Sequence, residues 1–194
     1  MIVADDDDGT QIRSWAERGI LGIRLRADSR ADTADPLAHW RVADELGLVV
    51  SAPCSPESLL GTAFQEVLST FPDLQIVLEH LAGASQQMPP PYTVFQSVLK
   101  LAERPTLSIK LPGFGEFCPL PYPFTQVAPL AKMALEAFGP KRILSTGQQQ
   151  RGIPALTGVS ASVLLQFSSR RTGLDLWSNG GICLANNLST RLVK

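Results

Sequence analysis

The chain has 194 residues, 44% of them hydrophobic, with 17 basic and 18 acidic side chains and a formal net charge of −1. That length suits one ordinary globular domain, and the near-cancelled charge argues against a nucleic-acid or acidic-surface partner. No apolar run approaches the roughly 20 residues of a membrane span, and the first residues, MIVADDDDG, lack the basic start and long apolar core of a secretory leader. Cys54, Cys118 and Cys183 are odd in number and far apart, which suits a reducing, cytoplasmic setting and argues against a disulfide framework or thiolate zinc site.

Residues 2–4 are a short apolar stub, and the aspartates at 5–8 read as a solvated loop opening a helix that runs to Arg18 and stops at Gly19. Residues 20–27, ILGIRLRA, are a β-branched strand candidate. In DPLAHWRVADELG, Asp35 is a helix N-cap, Pro36 fits the first turn and Gly47 lies past the end. Leu37, Trp40, Ala43 and Leu46 recur there at helical spacing, which leaves His39 as a surface residue. Residues 48–54, LVVSAPC, form the next strand. SPESLLGTAFQEVLSTF then reads as one helix with Leu60, Phe64, Val67, Leu68 and Phe71 on its apolar face.

Residues 75–81 form a further strand, ending at Glu79 and His80, one of only two histidines in the chain. A helix over 93–103 carries Val94, Phe95, Val98, Leu99 and Ala102, and residues 106–111 return as a strand. APLAKMALEAFG is a helix with Pro129 early and Gly139 late, and a last strand opens at 142. Strands alternating with helices mean parallel βαβ units, and the nearly continuous apolar strands suggest a sheet covered on both faces. After Leu144 this order breaks: Asp175 is the only acidic residue between Pro140 and Lys194, and only 155–167 could make a weak helix.

Taken in order, AERGILGIRLRA, HWRVADELGLVVS, FPDLQIVLEHLAG, TLSIKLPGFGEFC and MALEAFGPKRIL resemble the amidohydrolase-related family, also called amidohydrolase 2. Together they cover roughly two thirds of the chain, over residues 10–144. The resemblance implies an α/β fold, a partial (β/α)8 TIM-like barrel of five or six parallel strands. Residues 2–4 would be its third strand, and the first two would be missing. A whole barrel normally takes about 250 residues. Residues 1–144 would be the partial barrel, and 145–194 a divergent tail. A shifted reading frame would account for that tail, because one back-translation of DLWSNGGICLANN reads close to a typical family ending.

Members of the family mostly hydrolyse or decarboxylate small organic molecules, often with a divalent metal such as zinc or manganese that activates water. The resemblance implies a ligand set of an H-x-H on the first strand, histidines on the fifth and sixth, and an aspartate on the eighth. His80 matches the sixth-strand position. The H-x-H would lie upstream of Met1, Pro53 stands near the fifth-strand histidine, and Gln148 stands where the aspartate should be. A neutral amide is neither a carboxylate ligand nor a general base near neutral pH. One imidazole cannot fix an ion, so this chain is expected to bind no metal and to be inactive as written.

Arg24 and Lys110 lie inside strands, where long cations are unusual. They either meet the anionic groups of a substrate inside the barrel or point outward beneath a helix. Cys54 could be a nucleophile only with His80 as its base; a buried inert thiol is the commoner outcome. The second reading is a non-catalytic binding or interaction module, whose exposed parallel-sheet edge could pair with a partner chain.

Overall fold

The structure, a computed structural model, describes residues 3, 8–85, 88–112 and 127–145. Its elements run α1 (Thr10–Glu17), β1 (Gly22–Arg24), α2 (Ala38–Glu45), β2 (Val49–Ala52), α3 (Pro56–Leu60), α4 (Thr62–Thr70), β3 (Ile76–Leu78), α5 (Thr93–Leu99), β4 (Leu107–Leu111), α6 (Ala128–Phe138) and β5 (Ile143–Ser145). The five strands form one sheet in the order β1-β2-β3-β4-β5, and every pairing is parallel. Parallel crossovers are right-handed, so strands laid down in sequence order put their helices on the same side. This is the winding of a barrel wall, and no helix among the described residues covers the second face.

Alternation along the strands shows both faces. Ile23, Val50, Ala52, Ile76, Leu78, Leu107, Ile109 and Leu111 are buried against the helices. The residues between them, among them Arg24, Ser51, Val77, Ser108 and Lys110, are half-buried. Among the described residues, helices pack on one face of the sheet only. Most of these intervening residues are polar, and they mark the face that forms a barrel's inner wall, half-buried among the described residues. Backbone pairing outlasts β1, because Leu25 N donates to Ser51 O at 3.2 Å and Ala27 N to Pro53 O at 3.1 Å. The strand predicted over 20–27 is therefore real along most of its length. Residues 2 and 4 lie outside the described residues, but Val3 N reaches Arg24 O at 3.4 Å, on the free side of β1.

The caps explain where helices begin. Asp35 Oδ1 accepts from Leu37 N at 3.0 Å, so it caps the turn that leads into α2. Ser55 and Ser58 bond each other's backbone N–H reciprocally at the start of α3. The helix read continuously from 55 to 71 is two helices, because Gly61 adopts ψ 155° between α3 and α4. A Cβ at Gly61 would come 3.0 Å from Glu57 O. The break rotates α3, burying Leu59 and exposing Leu60, which had been assigned to the apolar face. Leu46 and Val94 are likewise exposed rather than inward. Trp40 anchors α2: its indole donates to Ser29 O at 3.2 Å and its ring meets Phe64 edge-on at 6.4 Å.

Candidate functional site

Four polar side chains gather near the C-terminal ends of β1 to β4, where barrel enzymes hold their chemistry. Arg24 closes β1, Ser51 lies opposite it in β2, Glu79 follows β3 and Lys110 lies in β4. Glu79 is the centre of the group. Arg24 grips its carboxylate with two donors, Nε to Oε1 at 3.1 Å and Nη2 to Oε2 at 2.7 Å, and Ser51 Oγ donates to Oε1 at 2.6 Å. The carboxylate is only 4% exposed, whereas the guanidinium side chain is 40% exposed. Burial pushes the Glu79 carboxyl up. The hydrogen bonds from Arg24 and Ser51 and the charges of Lys110 and Arg24 outweigh that burial, so it titrates below the usual glutamate value. Donating to Glu79 raises Arg24 in turn, against its own burial.

The strand read over 75–81 ends earlier than expected, at Leu78. His80, Leu81 and Ala82 then take left-handed backbone angles, with φ of 51°, 54° and 56°, and Gly83 follows at 72°. Three consecutive non-glycine residues in this region store strain, of the order of 1–2 kcal/mol each. Such strain survives only where packing fixes it, and it clusters at functional positions. Here Leu81 and Ala82 are fully buried. Gly83 N lies 3.3 Å from Glu79 O and 3.1 Å from His80 O. Gly83 packs so tightly on the segment after β2 that a Cβ would fall 2.3 Å from Cys54 O. The turn carries the half-exposed His80 side chain to the mouth, its Nε2 3.6 Å from Glu79 Oε2, too far for a hydrogen bond.

The other expected residues resolve differently. Arg24 and Lys110 both fall on the strand face opposite the buried residues, so neither points outward beneath a helix among the described residues. Cys54 is not an activated thiol: burial pushes it up to about 12, the backbone bond to Glu79 O opposes this only in part, and the Glu79 charge adds to the rise. His39 is 1% exposed, not a surface residue, because α2 buries Ala38, His39, Trp40, Val42 and Ala43 together, wider than one stripe. Pro53 follows β2 directly and supplies no ligand atom. Gln148, Cys118, Cys183, the weak helix over 155–167 and the whole tail after 145 lie outside the described residues.

A resident divalent metal fits this donor set poorly. His80 offers one imidazole, and both oxygens of the neighbouring Glu79 are taken by Arg24 and Ser51. Among the described residues no group of three His, Cys, Asp or Glu side chains could hold an ion. Glu79 and Ser51 had no assigned role in the sequence reading. Their signal was their parity: both fall on the same strand face as Arg24 and Lys110.

The structure is similar to several solved barrels. One is an amidohydrolase from Burkholderia multivorans, crystallised with bound HEPES, at 17% identity and TM-score 0.67, covering 89% of this chain and 66% of that one. The same amidohydrolase with bound zinc gives a TM-score of 0.65. A probable 2-pyrone-4,6-dicarboxylic acid hydrolase from Acinetobacter baumannii, with citric acid bound, matches at 16% identity and TM-score 0.64, covering 85% of this chain and 63% of that one. These likenesses speak for the fold, and the chain spans just under two thirds of the length of each. No curated protein matches the chain, and no helix among the described residues is long and apolar enough to cross a membrane. The amidohydrolase family model matches residues 4–144, from ahead of α1 to the last strand, and the chain belongs to that family.

Proposed function

We propose that this chain carries the inner wall of an amidohydrolase barrel that takes a small carboxylated organic substrate, and that by itself it does not turn that substrate over. The observation that carries the reading is the line of Arg24, Glu79 and Lys110 on the polar face of the sheet, with His80 above it. Lys110 supplies a mobile positive charge for a carboxylate, and Arg24 is held rigidly by Glu79. His80 stands at the mouth, where an imidazole can donate to or accept from a reacting oxygen. Further support comes from the relatives, whose bound molecules, citric acid and HEPES, both carry anionic acid groups, carboxylates in one and a sulfonate in the other.

Hydrolysis needs more than this wall. Water must be activated by a base or an ion while the developing oxyanion is stabilised, and groups that act as a unit are strongly non-additive. Pro53 and Gln148 stand where the family resemblance asks for a histidine and an aspartate. The test compares zinc or manganese uptake, then turnover on a panel of carboxylated lactones, across three proteins. These are the unmodified chain, the Pro53→His/Gln148→Asp variant, and that variant preceded by the first two strands of a relative with their H-x-H. Uptake and turnover are expected in the third protein alone. Hydrolysis by the unmodified chain, abolished by His80→Ala, would overturn the reading of inactivity.

A further inference from the structure

The inner wall as a site for carboxylates, on which this inference rests, leaves open how many carboxylates a ligand can bring. Among the described residues the wall holds two cations, Arg24 and Lys110, and one buried anion, Glu79, leaving one positive charge in excess. Nε and Nη2 of an arginine are a fork that matches a carboxylate with two parallel bonds. In Arg24 that fork is already filled, by Oε1 and Oε2 of Glu79, and Ser51 fastens the same carboxylate from β2. A ligand carboxylate entering the fork would have to evict Glu79, leaving a 4%-exposed carboxylate without its guanidinium. Stranding a buried charge in this way is among the costlier changes a folded protein can undergo. Lys110 is bound by no such fork. It occupies the adjacent strand, close enough for its charge to act on Glu79.

We propose that Glu79 determines specificity on this wall: it fills the Arg24 fork from inside and leaves Lys110 to meet the ligand, so the wall selects small organic acids with one carboxylate over those with two. A monoanion neutralises the excess charge. A dianion reverses it and sets its second carboxylate against Glu79, in a partly buried setting where water and salt screen poorly.

The probes are benzoate and isophthalate, which share a ring and differ by one carboxylate, titrated calorimetrically into the full chain at low ionic strength. Benzoate is expected to bind about 5–10-fold more tightly. In Glu79→Gln the wall gains a positive charge and the fork loses its internal anion. The order should then reverse, with isophthalate gaining about tenfold or more and benzoate changing less. Lys110→Met should weaken both acids. Isophthalate binding as tightly as benzoate to the unmodified chain would overturn the proposal, and so would a ratio unchanged in Glu79→Gln. If that variant does not fold, the ratio in the unmodified chain decides alone. Binding of neither acid by the unmodified chain would overturn the carboxylate-binding wall itself, a failure separate from that of the selectivity.

Discussion

At the N-terminal ends of the strands, Arg142 lies against the chain that leads into β4 and β5. It donates from Nε to Phe138 O at 3.1 Å, from Nη1 to Arg104 O at 2.8 Å and Leu107 O at 3.1 Å, and from Nη2 to Ala102 O at 2.9 Å. Its guanidinium also sits 5.3 Å from the Phe138 ring centroid. Arg104 continues the stitching by donating to Leu68 O at 2.9 Å. At the C-terminal ends the cations meet something else. Arg24 meets a carboxylate, Lys110 lies on the polar face of the sheet, and the backbone at His80 is strained rather than relaxed. Arginines at the closed end tie together backbone carbonyls of several segments, one of which, Arg104 O, also accepts from Leu107 N at 3.2 Å, and this is a task of stability. Cations at the mouth are set against carboxylate and solvent, where they can act on a ligand. The same residue type thus has different work at the two ends, set by what faces it.

Removing the closed end's clamp should have the largest effect. Arg142→Met keeps much of the stem packing but removes a charged donor from four carbonyls, of which Arg104 O keeps its bond from Leu107 N. The expected loss is about 3–5 kcal/mol in urea unfolding, since bonds to a charged donor are worth more than neutral ones and buried carbonyls are expensive to strand. A loss near zero would mean that the two ends do not differ as described.

Next in size is Glu79, whose replacement by Gln should cost about 1–2 kcal/mol at neutral pH, because half of the pair remains in contact with water. The pH dependence has a definite sign. Glu79 is depressed in the fold, so its contribution is present above the unfolded value of about 4.3 and is lost as pH falls through the lower folded value. Stability curves of the unmodified chain and Glu79→Gln should therefore converge on acidification below that range. Parallel curves down to the acid limb would show that the Arg24 clasp adds nothing to the fold.

Much of the wall was legible in the sequence because its signals are local. Pro36, Ser55, Pro129, Gly19 and Gly139 mark helix ends by fixed chemistry, and the alternation of strands with helices gives the parallel order. Three features were hidden for physical reasons. The apolar spacing from Leu60 to Phe71 keeps its helical period across Gly61, so the break leaves no trace in the pattern. The strands are too apolar on average to betray a polar face, and Arg24, Ser51, Glu79, Ser108 and Lys110, read by parity, reveal it. The left-handed run at His80 has no local signature at all. EHLAG contains a single glycine, which packs against Cys54 and Ser55, while the other three take left-handed angles against their residue preference.

That strain can be weighed with two alanines, both fully buried and both changed to glycine. Ala134 lies within α6 at ordinary helical angles, whereas Ala82 holds φ 56° in the turn after His80. Each substitution removes a buried methyl, about 0.8 kcal/mol, and frees the unfolded chain by roughly 0.4–1 kcal/mol. For Ala134 these losses add, and Ala134→Gly should cost about 1.2–1.8 kcal/mol. For Ala82 a third contribution of opposite sign enters, because glycine adopts the left-handed region without the 1–2 kcal/mol penalty, roughly, that a Cβ incurs. The three nearly cancel, so Ala82→Gly should shift stability by less than about 0.5 kcal/mol. Equilibrium unfolding of the two variants side by side gives the difference directly. Equal losses at both positions would mean that the backbone at the mouth is not strained, and that His80 reaches its place without stored energy.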